Sequence, residues 1–323
     1  MRIGIDLMGG DHPPERLFPA VLEAATQLTP HDTLLVIATE SVVDKLSSIP
    51  FSKAPSHAHI DFHIASEFIT MKEDPLTAIR RKKQASLIVG IQLLEQYKLD
   101  AFVSCGNTGA LISSAALFLP LMPGISRPAL LVSLPSKKGP VAMLDVGGNL
   151  SCKAEHLVQF AVLGAAYQQA MHQITEPRVG LLNIGVESKK GTAELRQAYE
   201  LLQIEMTKKN NIKMHFEGNV EARDVFNGVV DVLVTEGFTG NILLKTAEGV
   251  AKFIFNELNL PEKNSSLQSQ FNYTEYPGAI ICGVDRVVIK VHGDAKAATL
   301  RISILGAAET VSKRIIPQIK ELI

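Results

Sequence analysis

Tryptophan is absent from this chain of 323 residues, and cysteine is scarce. The three cysteines are odd in number, which suits a reducing compartment better than a disulfide framework, and they lack the paired spacing of a structural zinc site. We interpret Cys105, Cys152 and Cys282 as buried thiols of a protein in a reducing compartment. No spacing of residues indicates a metal or an organic cofactor, and we predict none.

Neither sign of charge is in excess. The chain has 32 lysines and arginines against 33 aspartates and glutamates, for a formal net charge of -1. This balance excludes a general attraction to nucleic acid, because no positive field surrounds the molecule. Any anionic ligand must therefore be bound by local groups.

Long apolar runs are also missing, since none reaches the roughly eighteen residues that a membrane span requires. The longest run, 110–122, is interrupted by Pro120 and predicts a buried helix. Met1 and Arg2 lead directly into the first strand, which leaves no room for a signal peptide, so we expect a cytoplasmic protein. A hydrophobic content of 46% and the lack of any linker predict a single domain over 1–323.

One pattern occurs five times: a short apolar strand runs into a turn of glycine and small polar residues. The turns are 9–12, 104–109, 145–152, 183–185 and 235–241. Because parallel strands present their carboxyl ends at one edge of a sheet, residues of these turns are expected to line one composite site. The alternation of strands and helices predicts an α/β architecture with a mostly parallel sheet.

Helices are predicted between these strands. Asp74 and Pro75 have the residue types of a helix cap and first turn, and the helix should extend to about Tyr97. Segments 130–133 and 141–144 are expected to pair as a hairpin. The remaining helices are predicted at 153–172, at 192–208, from 241 onward and at 295–322.

The most informative turn lies in the segment Leu144-Asp-Val-Gly-Gly-Asn-Leu-Ser-Cys-Lys-Ala-Glu-His-Leu-Val158. Its glycines allow the backbone to approach a ligand closely. Lys153 and His156 are three residues apart near the start of a helix, where a cation is unfavourable unless an anion is bound beside it. The segment therefore predicts an anion site, although a histidine on such a helix is as often structural.

Asn107 and Thr108 open another apolar helix, and Gly106 and Gly109 lie beside them. Free amides and the partial positive charge at a helix start favour phosphate, so we interpret this turn as a phosphate cradle. The alternative is that Asn107 only caps the helix.

The chain resembles the bacterial phosphate acyltransferases of phospholipid synthesis over nearly its full length. Ten ordered segments carry the resemblance, among them Asp6-Leu-Met-Gly-Gly-Asp-His12, Gly106-Asn-Thr-Gly-Ala-Leu111, Pro123-Gly-Ile-Ser-Arg-Pro-Ala129, Leu182-Asn-Ile-Gly185 and Gly237-Phe-Thr-Gly-Asn241. The others are 80–83, 144–161, 218–221, 244–246 and 288–290.

The resemblance implies that a fatty acyl group passes from acyl carrier protein to inorganic phosphate, and that a membrane glycerol-3-phosphate acyltransferase acts downstream. It also implies a three-layer fold similar to that of isocitrate and isopropylmalate dehydrogenases, and a homodimer. Because phosphate is itself a nucleophile, the enzyme must mainly bind a dianion and stabilise an oxyanion.

Candidate site residues follow from the turns and from the resemblance. The candidates for catalysis are Lys153, His156, Lys290 and His292. The candidates for binding phosphate or substrate are Asp6, Gly9, Gly10, Asp11, His12, Gly106, Asn107, Thr108, Gly109, Gly147, Gly148, Asn149, Asn183, Gly185, Asn219, Glu236, Gly237, Gly240, Asn241 and Lys245.

Four basic residues of the helix predicted from Pro75 are candidates for binding the acidic carrier protein: Arg80, Arg81, Lys82 and Lys83. At about 100° per residue they cannot all face one partner, and the alternative is a solvated basic turn.

The segment 259–266 is short and polar, where the family often has a longer apolar excursion for membrane contact, so peripheral membrane binding is left open. Leu244, Val250, Ile254 and Leu258 share one face of the preceding helix, which is typical of a core or a dimer interface.

Three other functions are alternatives to this one. A phosphotransacetylase-like enzyme would differ only in using acyl-CoA as donor. A nicotinamide-dependent dehydrogenase would need a carboxylate cluster for a metal, and no G-x-G-x-x-G follows the first strand. A non-catalytic scaffold that binds acyl carrier protein would not need the glycine, asparagine, lysine and histidine set.

Overall fold

Strands and helices alternate along most of the chain. The computed structural model describes residues 1–50, 56–207, 212–257 and 278–323. Within these ranges the strands are β1 (Arg2–Asp6), β2 (Thr33–Ala38), β3 (His59–Ile64), β4 (Ala101–Ser104), β5 (Ala129–Leu134), β6 (Val141–Leu144), β7 (Arg178–Leu182), β8 (His215–Val220), β9 (Val232–Val234), β10 (Ala279–Cys282) and β11 (Val287–Lys290).

The helices are α1 (Pro14–Ala25), α2 (Glu40–Ser47), α3 (Pro75–Arg81), α4 (Ser86–Glu95), α5 (Thr108–Phe118), α6 (Ala154–His172), α7 (Ala193–Glu205), α8 (Ala222–Val225), α9 (Gly237–Glu257), α10 (Ala297–Ser312) and α11 (Ile315–Leu322). Together with the strands they confirm the predicted α/β class.

The described residues form two compact units. Unit 1 holds residues 1–120 and 278–314, and unit 2 holds residues 121–257 and 315–323. Compact units occur both inside domains and as separate domains, so the single domain expected over 1–323 stays a prediction.

The sheet of unit 1 has the strand order β3-β2-β1-β4-β11-β10. All of its pairs are parallel except that of β10 with β11. The register places Asp6 beside Ser104, and Ser104 beside Lys290, at the carboxyl ends of β1, β4 and β11. Helices α4 and α10 pack against these strands and bury their apolar residues. Three turns therefore begin next to one another.

The sheet of unit 2 has the order β5-β6-β9-β7-β8. Its β5 and β6 form the predicted antiparallel hairpin, with Leu131 opposite Leu144, and the other pairs are parallel. Leu144 pairs with Val234, which in turn pairs with Leu181. The turns after β6, β9 and β7 consequently start at neighbouring positions, with α6 packed against β6 and β9.

The helix predicted from Pro75 to about Tyr97 is wrong, because two helices with a turn between them occupy this range. Asp74 caps α3 as predicted, and its carboxylate accepts from Thr77 N at 2.9 Å. The chain leaves helical geometry at Lys82, where φ is -106° and ψ is 65°. Ser86 N then donates to Glu67 O, so contact with a distant segment starts α4.

Two other helix boundaries also differ from the prediction. Helix α9 begins at Gly237 rather than at Asn241, because Glu236 accepts from Thr239 N at 2.9 Å and so caps the first turn. The single helix predicted over 295–322 is divided into α10 and α11 at Arg314, whose φ is 52°.

No helix in the described ranges is long and apolar enough to cross a membrane. The predicted end of α7 at Lys208, the residue Leu258 and the polar segment 259–266 lie outside the described residues.

Candidate active site

Asp6 joins two of the glycine turns in unit 1. Its carboxylate accepts from Ser104 Oγ at 2.8 Å and from Met8 N at 3.0 Å. Ser104 Oγ in turn accepts from Gly106 N at 3.0 Å. One buried carboxylate thus holds the start of the 8–12 turn and, through a hydroxyl, the start of the 104–109 turn.

Burial raises the pKa of Asp6 from 3.8 to about 6, against the opposing effects of hydrogen bonds from Ser104, Ser86 and Met8 and of the nearby Lys290 charge. Lys290 is itself buried, and its ammonium donates to Val291 O. The end of β11 therefore carries a buried lysine whose charge acts on Asp6, an aspartate with a raised pKa.

The third turn of unit 1 packs against the first. Asp11 N donates to Gly293 O at 2.9 Å, and His12 Nε2 lies 3.1 Å from Asp294 Oδ1. His292 is exposed, and its Nδ1 accepts from Asp294 N at 3.1 Å, which leaves the proton of the neutral ring on Nε2. The two histidines thus come from adjacent turns and share Asp294 as a neighbour.

Asn107 has a structural task at the start of α5. Its Oδ1 accepts from Ala110 N at 3.0 Å, which makes it the helix cap that was the alternative interpretation. Its Nδ2 points to the carbonyl oxygens of Thr70, Met71 and Glu73, at 3.2 to 3.4 Å. The side chain therefore ties the loop 70–73 to α5, and its donors and acceptor are engaged within the protein.

Thr108 and Gly109 form the first turn of α5. A Cβ at Gly109 would lie 2.6 Å from the side chain of Pro75, so glycine allows α3 and α5 to approach closely. The half-buried backbone of this turn remains a candidate for anion binding.

Asp145 organises the central turn of unit 2. Its Oδ1 accepts from Leu130 N and Gly148 N, each at 3.0 Å, and its Oδ2 accepts from Asn149 N at 2.6 Å and Asn149 Nδ2 at 2.8 Å. The side chain is fully buried, and this burial raises the pKa of Asp145 despite four donors. The turn of Gly147, Gly148 and Asn149 is thereby fixed around one carboxylate.

Positive groups surround the start of α6. Lys153 immediately precedes this helix, and its backbone N donates to His156 Nδ1 at 3.2 Å. Burial and the charges of Arg127 and Lys153 lower the pKa of His156, so its ring is neutral at pH 7 and carries its proton on Nε2. Lys153 and the imidazole N–H of His156 therefore lie at a helix N-terminus, and the charges of the exposed Arg127 and of Glu155 in the first turn act on the same ring.

The first turn of α9 packs directly on the Asp145 turn. A Cβ at Gly240 would lie 1.9 Å from Asp145 O, so no other residue fits at this position. Gly237 N donates to Asn149 O at 2.8 Å, and Asn241 lies beside Gly147. Gly237 and Gly240 thus act through close packing, while Asn241 remains exposed next to the turn.

The remaining candidates of unit 2 are engaged in contacts of their own. Asn183 Nδ2 donates to Lys190 O at 3.2 Å, and Asn219 Nδ2 donates to Glu187 O at 2.8 Å, so both hold the loop that contains Gly185. Lys245 forms an ion pair with Glu248 at 2.8 Å.

The basic run of unit 1 is divided by the end of α3. Arg80, Arg81 and Lys83 are exposed. Lys82 instead turns inward, where its ammonium lies 2.7 Å from Glu73 Oε1 and 2.9 Å from Phe68 O. Three of the four residues are thus available to a partner on the surface.

The two units each bring several predicted residues together, whereas the composite site of all five turns stays a prediction. Sequence reasoning passed over Asp145, Ser104, Glu73 and Arg127. The aspartate at the end of β6 was visible as the counterpart of Asp6, but the contacts of the other three were not. Among the described residues, no group of three histidines, cysteines or acidic residues could hold a metal ion.

Parallel strands whose carboxyl ends run into glycine turns define an α/β protein with its ligand-binding edge at these turns. A family model described as "Fatty acid synthesis protein" matches residues 1–318. The phosphate acyltransferase of Chlamydia pneumoniae is 40% identical over 322 residues, which cover 99% of this chain and 98% of that protein. The chain belongs to this family of phosphate acyltransferases, and it is an acyltransferase.

Solved structures agree in fold. A phosphotransacetylase from Streptococcus pyogenes matches with a TM-score of 0.63 at 16% identity and covers 97% of this chain and 94% of its own. A protein from Salmonella typhimurium described as a 4-hydroxythreonine-4-phosphate dehydrogenase matches with a TM-score of 0.54 at 12% identity, over 95% of this chain and 98% of its own. The predicted dehydrogenase-like fold class is confirmed.

Proposed function

We propose that the protein transfers a fatty acyl group from acyl-[acyl carrier protein] to inorganic phosphate, and so supplies acyl phosphate for phospholipid synthesis. The observation that carries this proposal is the cluster of Arg127, Lys153 and His156 at the N-terminus of α6. Family membership supports the acyl transfer itself.

The α6 cluster suits a phosphate dianion for two reasons. The first amides of a 19-residue helix carry partial positive charge and lack partners inside the helix. Arg127 and Lys153 each place a positive charge close enough to act on His156, and a phosphate bound beside this ring would form charge-assisted hydrogen bonds with them. The buried carboxylate of Asp145 is already satisfied by four donors, so it competes little for these cations.

The chemistry requires no protein nucleophile. A phosphate oxygen attacks the thioester carbonyl carbon, a C–O bond forms, and the C–S bond breaks with its electron pair leaving on sulfur. The proton of HPO₄²⁻ ends on the thiol, so the products are acyl phosphate and free carrier thiol. His156 Nε2–H is a neutral donor and can hold a phosphate oxygen without taking its proton.

The test is to incubate the purified protein with palmitoyl-[acyl carrier protein], with and without inorganic phosphate. We expect free carrier thiol and hydroxylamine-trappable acyl phosphate to form in equal amounts, and only with phosphate. Turnover with palmitoyl-CoA but not with the carrier protein would replace the donor in this proposal. Absence of turnover with both would favour the non-catalytic scaffold.

We also propose a homodimer formed through α9. Five large apolar side chains of this helix are exposed, which we call the α9 apolar row: Phe238, Ile242, Val250, Phe253 and Ile254. Val250 and Ile254 were predicted to lie in a core or an interface, and their exposure excludes a core of the described residues. Such a row marks an interaction surface.

Light scattering during gel filtration tests the dimer. Phe253→Glu should yield a monomer, whereas Lys252→Glu, at an exposed neighbouring position, should remain dimeric. A protein that is monomeric before substitution, but sediments with anionic phospholipid vesicles through the α9 apolar row, would instead favour peripheral membrane contact.

A further inference from the structure

A cavity of about 590 Å³ opens in unit 1 beside the carboxyl end of β1. Its volume falls within the range of small-molecule sites. Half of its lining is apolar, namely Leu7, Met8, Pro13, Pro14, Phe68 and Met71. The rest is Gly9, Gly10, Asp11, His12, Thr70 and Lys72.

The wall formed by Phe68, Thr70 and Met71 is braced from behind. Lys82 Nζ donates to Phe68 O at 2.9 Å and pairs with Glu73, whose carboxylate accepts from Thr70 N at 2.8 Å. Asn107 Nδ2 points to three carbonyl oxygens of the same loop. The loop carbonyls and the Thr70 hydroxyl are thereby engaged, which leaves side chains to face the cavity.

The floor of the cavity follows Asp6 directly in the chain. A Cβ at Gly9, whose φ is 77°, would lie 2.3 Å from Ile69 O, so floor and wall are in close contact. A Cβ at Gly293 would lie 2.5 Å from the end of the Met71 side chain, which places Met71 against the turn that carries His292. The cavity is therefore continuous with the turns at the ends of β1 and β11.

We propose that this cavity holds the fatty acyl chain of the donor thioester. The inference rests on the proposed function and adds the location of its lipid part. The six apolar side chains of the lining favour methylene groups, each of which contributes roughly fourfold in affinity when buried. A pantetheine arm would bring amides and a hydroxyl, for which the six apolar side chains of the lining offer no partners.

The surroundings of the cavity match a lipid chain attached to an acidic protein. Helix α3 follows the wall loop without interruption, and its end carries the exposed Arg80 and Arg81, with Lys83 just beyond. Lys82 lies between them and braces the wall. A carrier protein bound at these charges would have its acyl chain directed toward the adjacent cavity, with Lys82 as the positioning residue.

The experiment varies the chain length of the donor against the size of the cavity. Octanoyl-, dodecanoyl- and palmitoyl-[acyl carrier protein] are compared with wild type, Met71→Trp and Met71→Ala. We expect Met71→Trp to lower kcat/KM at least tenfold for the palmitoyl donor and less than twofold for the octanoyl donor, with the KM for phosphate unchanged. Met71→Ala should shift the preference toward longer chains.

The matched control is Leu76→Trp, which places the same large ring at an exposed apolar position of α3 outside the cavity lining. It should leave the chain-length profile as in wild type. If Met71→Trp lowers kcat/KM equally for all three donors, or for none, the acyl chain is not in this cavity. An equal loss would point to the pantetheine arm.

Binding without turnover separates this inference from the proposed function. Calorimetry uses the non-hydrolysable thioethers S-hexadecyl-pantetheine and S-octyl-pantetheine. Met71→Trp should bind the hexadecyl compound at least tenfold more weakly than wild type and the octyl compound less than twofold more weakly, whereas Leu76→Trp should bind both as wild type does. If this pattern appears although no donor yields acyl phosphate, the proposed function fails and the cavity assignment stands. If wild type turns over the donor but all three proteins bind each thioether equally, the assignment of the acyl chain to this cavity is wrong and the proposed function stands.

Lys82 has its own test. Lys82→Met removes the contacts of the ammonium with Phe68 O and Glu73, so kcat/KM should depend less on the chain length of the donor. Lys98→Met, at an exposed position of the same unit, should leave this dependence unchanged. If folded Lys82→Met retains the wild-type profile, Lys82 does not position the wall.

Discussion

Asp6 of unit 1 and Asp145 of unit 2 occupy equivalent places, since each follows the apolar part of a parallel strand and organises a glycine turn. Both are buried, and burial raises the pKa of both. Their partners differ. Asp145 binds three backbone amides and one side-chain amide, whereas Asp6 binds one backbone amide and the hydroxyls of Ser104 and Ser86, with the Lys290 charge nearby.

The difference shows two ways to keep a carboxylate inside a protein. Backbone amides cannot move away or titrate, so the turn of Asp145 is a fixed frame beside the exposed cations of α6. Hydroxyl groups can rotate away from a carboxyl group that has become protonated, and the protonation of a buried lysine depends on the groups around it. The turn of Asp6 can therefore respond to pH. We therefore associate Asp145 with rigidity and Asp6 with titration.

The largest expected effect is the loss of stability in Asp145→Ala. Removal of the carboxylate leaves the backbone amides of Leu130, Gly148 and Asn149 without an acceptor, and each such group costs about 1–3 kcal/mol. We expect urea unfolding to show a loss of about 4 kcal/mol or more. The exposed control Asp44→Ala should change stability by less than about 0.5 kcal/mol. A loss below about 1 kcal/mol in Asp145→Ala would break the comparison.

The second prediction concerns pH. Because its folded pKa is raised from 3.8 to about 6, Asp6 stabilises the fold fully below about pH 4, and this contribution is lost as pH rises through about 6. A rise of about 2 in pKa corresponds to about 3 kcal/mol at about 1.36 kcal/mol per pKa unit. Asp6→Asn cannot ionise, so its stability relative to wild type should increase by up to about 3 kcal/mol between pH 4 and pH 7.

Urea unfolding at intervals of half a pH unit measures this difference. A constant offset between Asp6→Asn and wild type from pH 4 to pH 7 would contradict the raised pKa. Asp61→Asn, at an exposed position of β3, is the control and should follow the wild-type profile throughout.

The third prediction concerns unit 2, at the start of α6, and the affinity for phosphate. Lys153→Ala removes one charge from the proposed phosphate site, and a charged hydrogen bond contributes about 1.5–3 kcal/mol. We expect the KM for phosphate to rise about 10- to 100-fold with little change in the urea midpoint. The control Lys213→Ala, at an exposed position in unit 2, should leave the KM for phosphate unchanged. An unchanged KM in folded Lys153→Ala would remove this lysine from the site.

Strands and turns could be predicted from the sequence because their signals are local. Apolar runs followed by glycine and asparagine indicate where each parallel strand ends. The break between α3 and α4 could not be predicted, since no glycine or proline lies between Arg81 and Ser86. It depends on Lys82 and Glu67, whose partners are distant in the chain.

The site was predicted in part for the same reason. Asn107 has the residue type of a helix cap, and this interpretation could be made from the sequence alone. Its bonds to Thr70 and Met71, more than 35 residues away, depend on the fold. Burial likewise distinguishes Asp6 and Asp145 from ordinary turn aspartates, and no local pattern indicates it.

The smallest expected effect separates donor recognition in unit 1 from phosphate recognition in unit 2. Arg80→Glu combined with Lys83→Glu reverses two exposed charges, so kcat/KM for the carrier-protein donor should fall several-fold at low salt and approach wild type at high salt, where such charges are screened. The kcat/KM for palmitoyl-pantetheine as donor and the KM for phosphate should be unaffected, which is the reverse of the result expected for Lys153→Ala.

Lys98→Glu serves as the charge-reversal control. An equal loss with both donors would mean that these residues act through folding, and the division of tasks between the two units would then lose its support on the donor side.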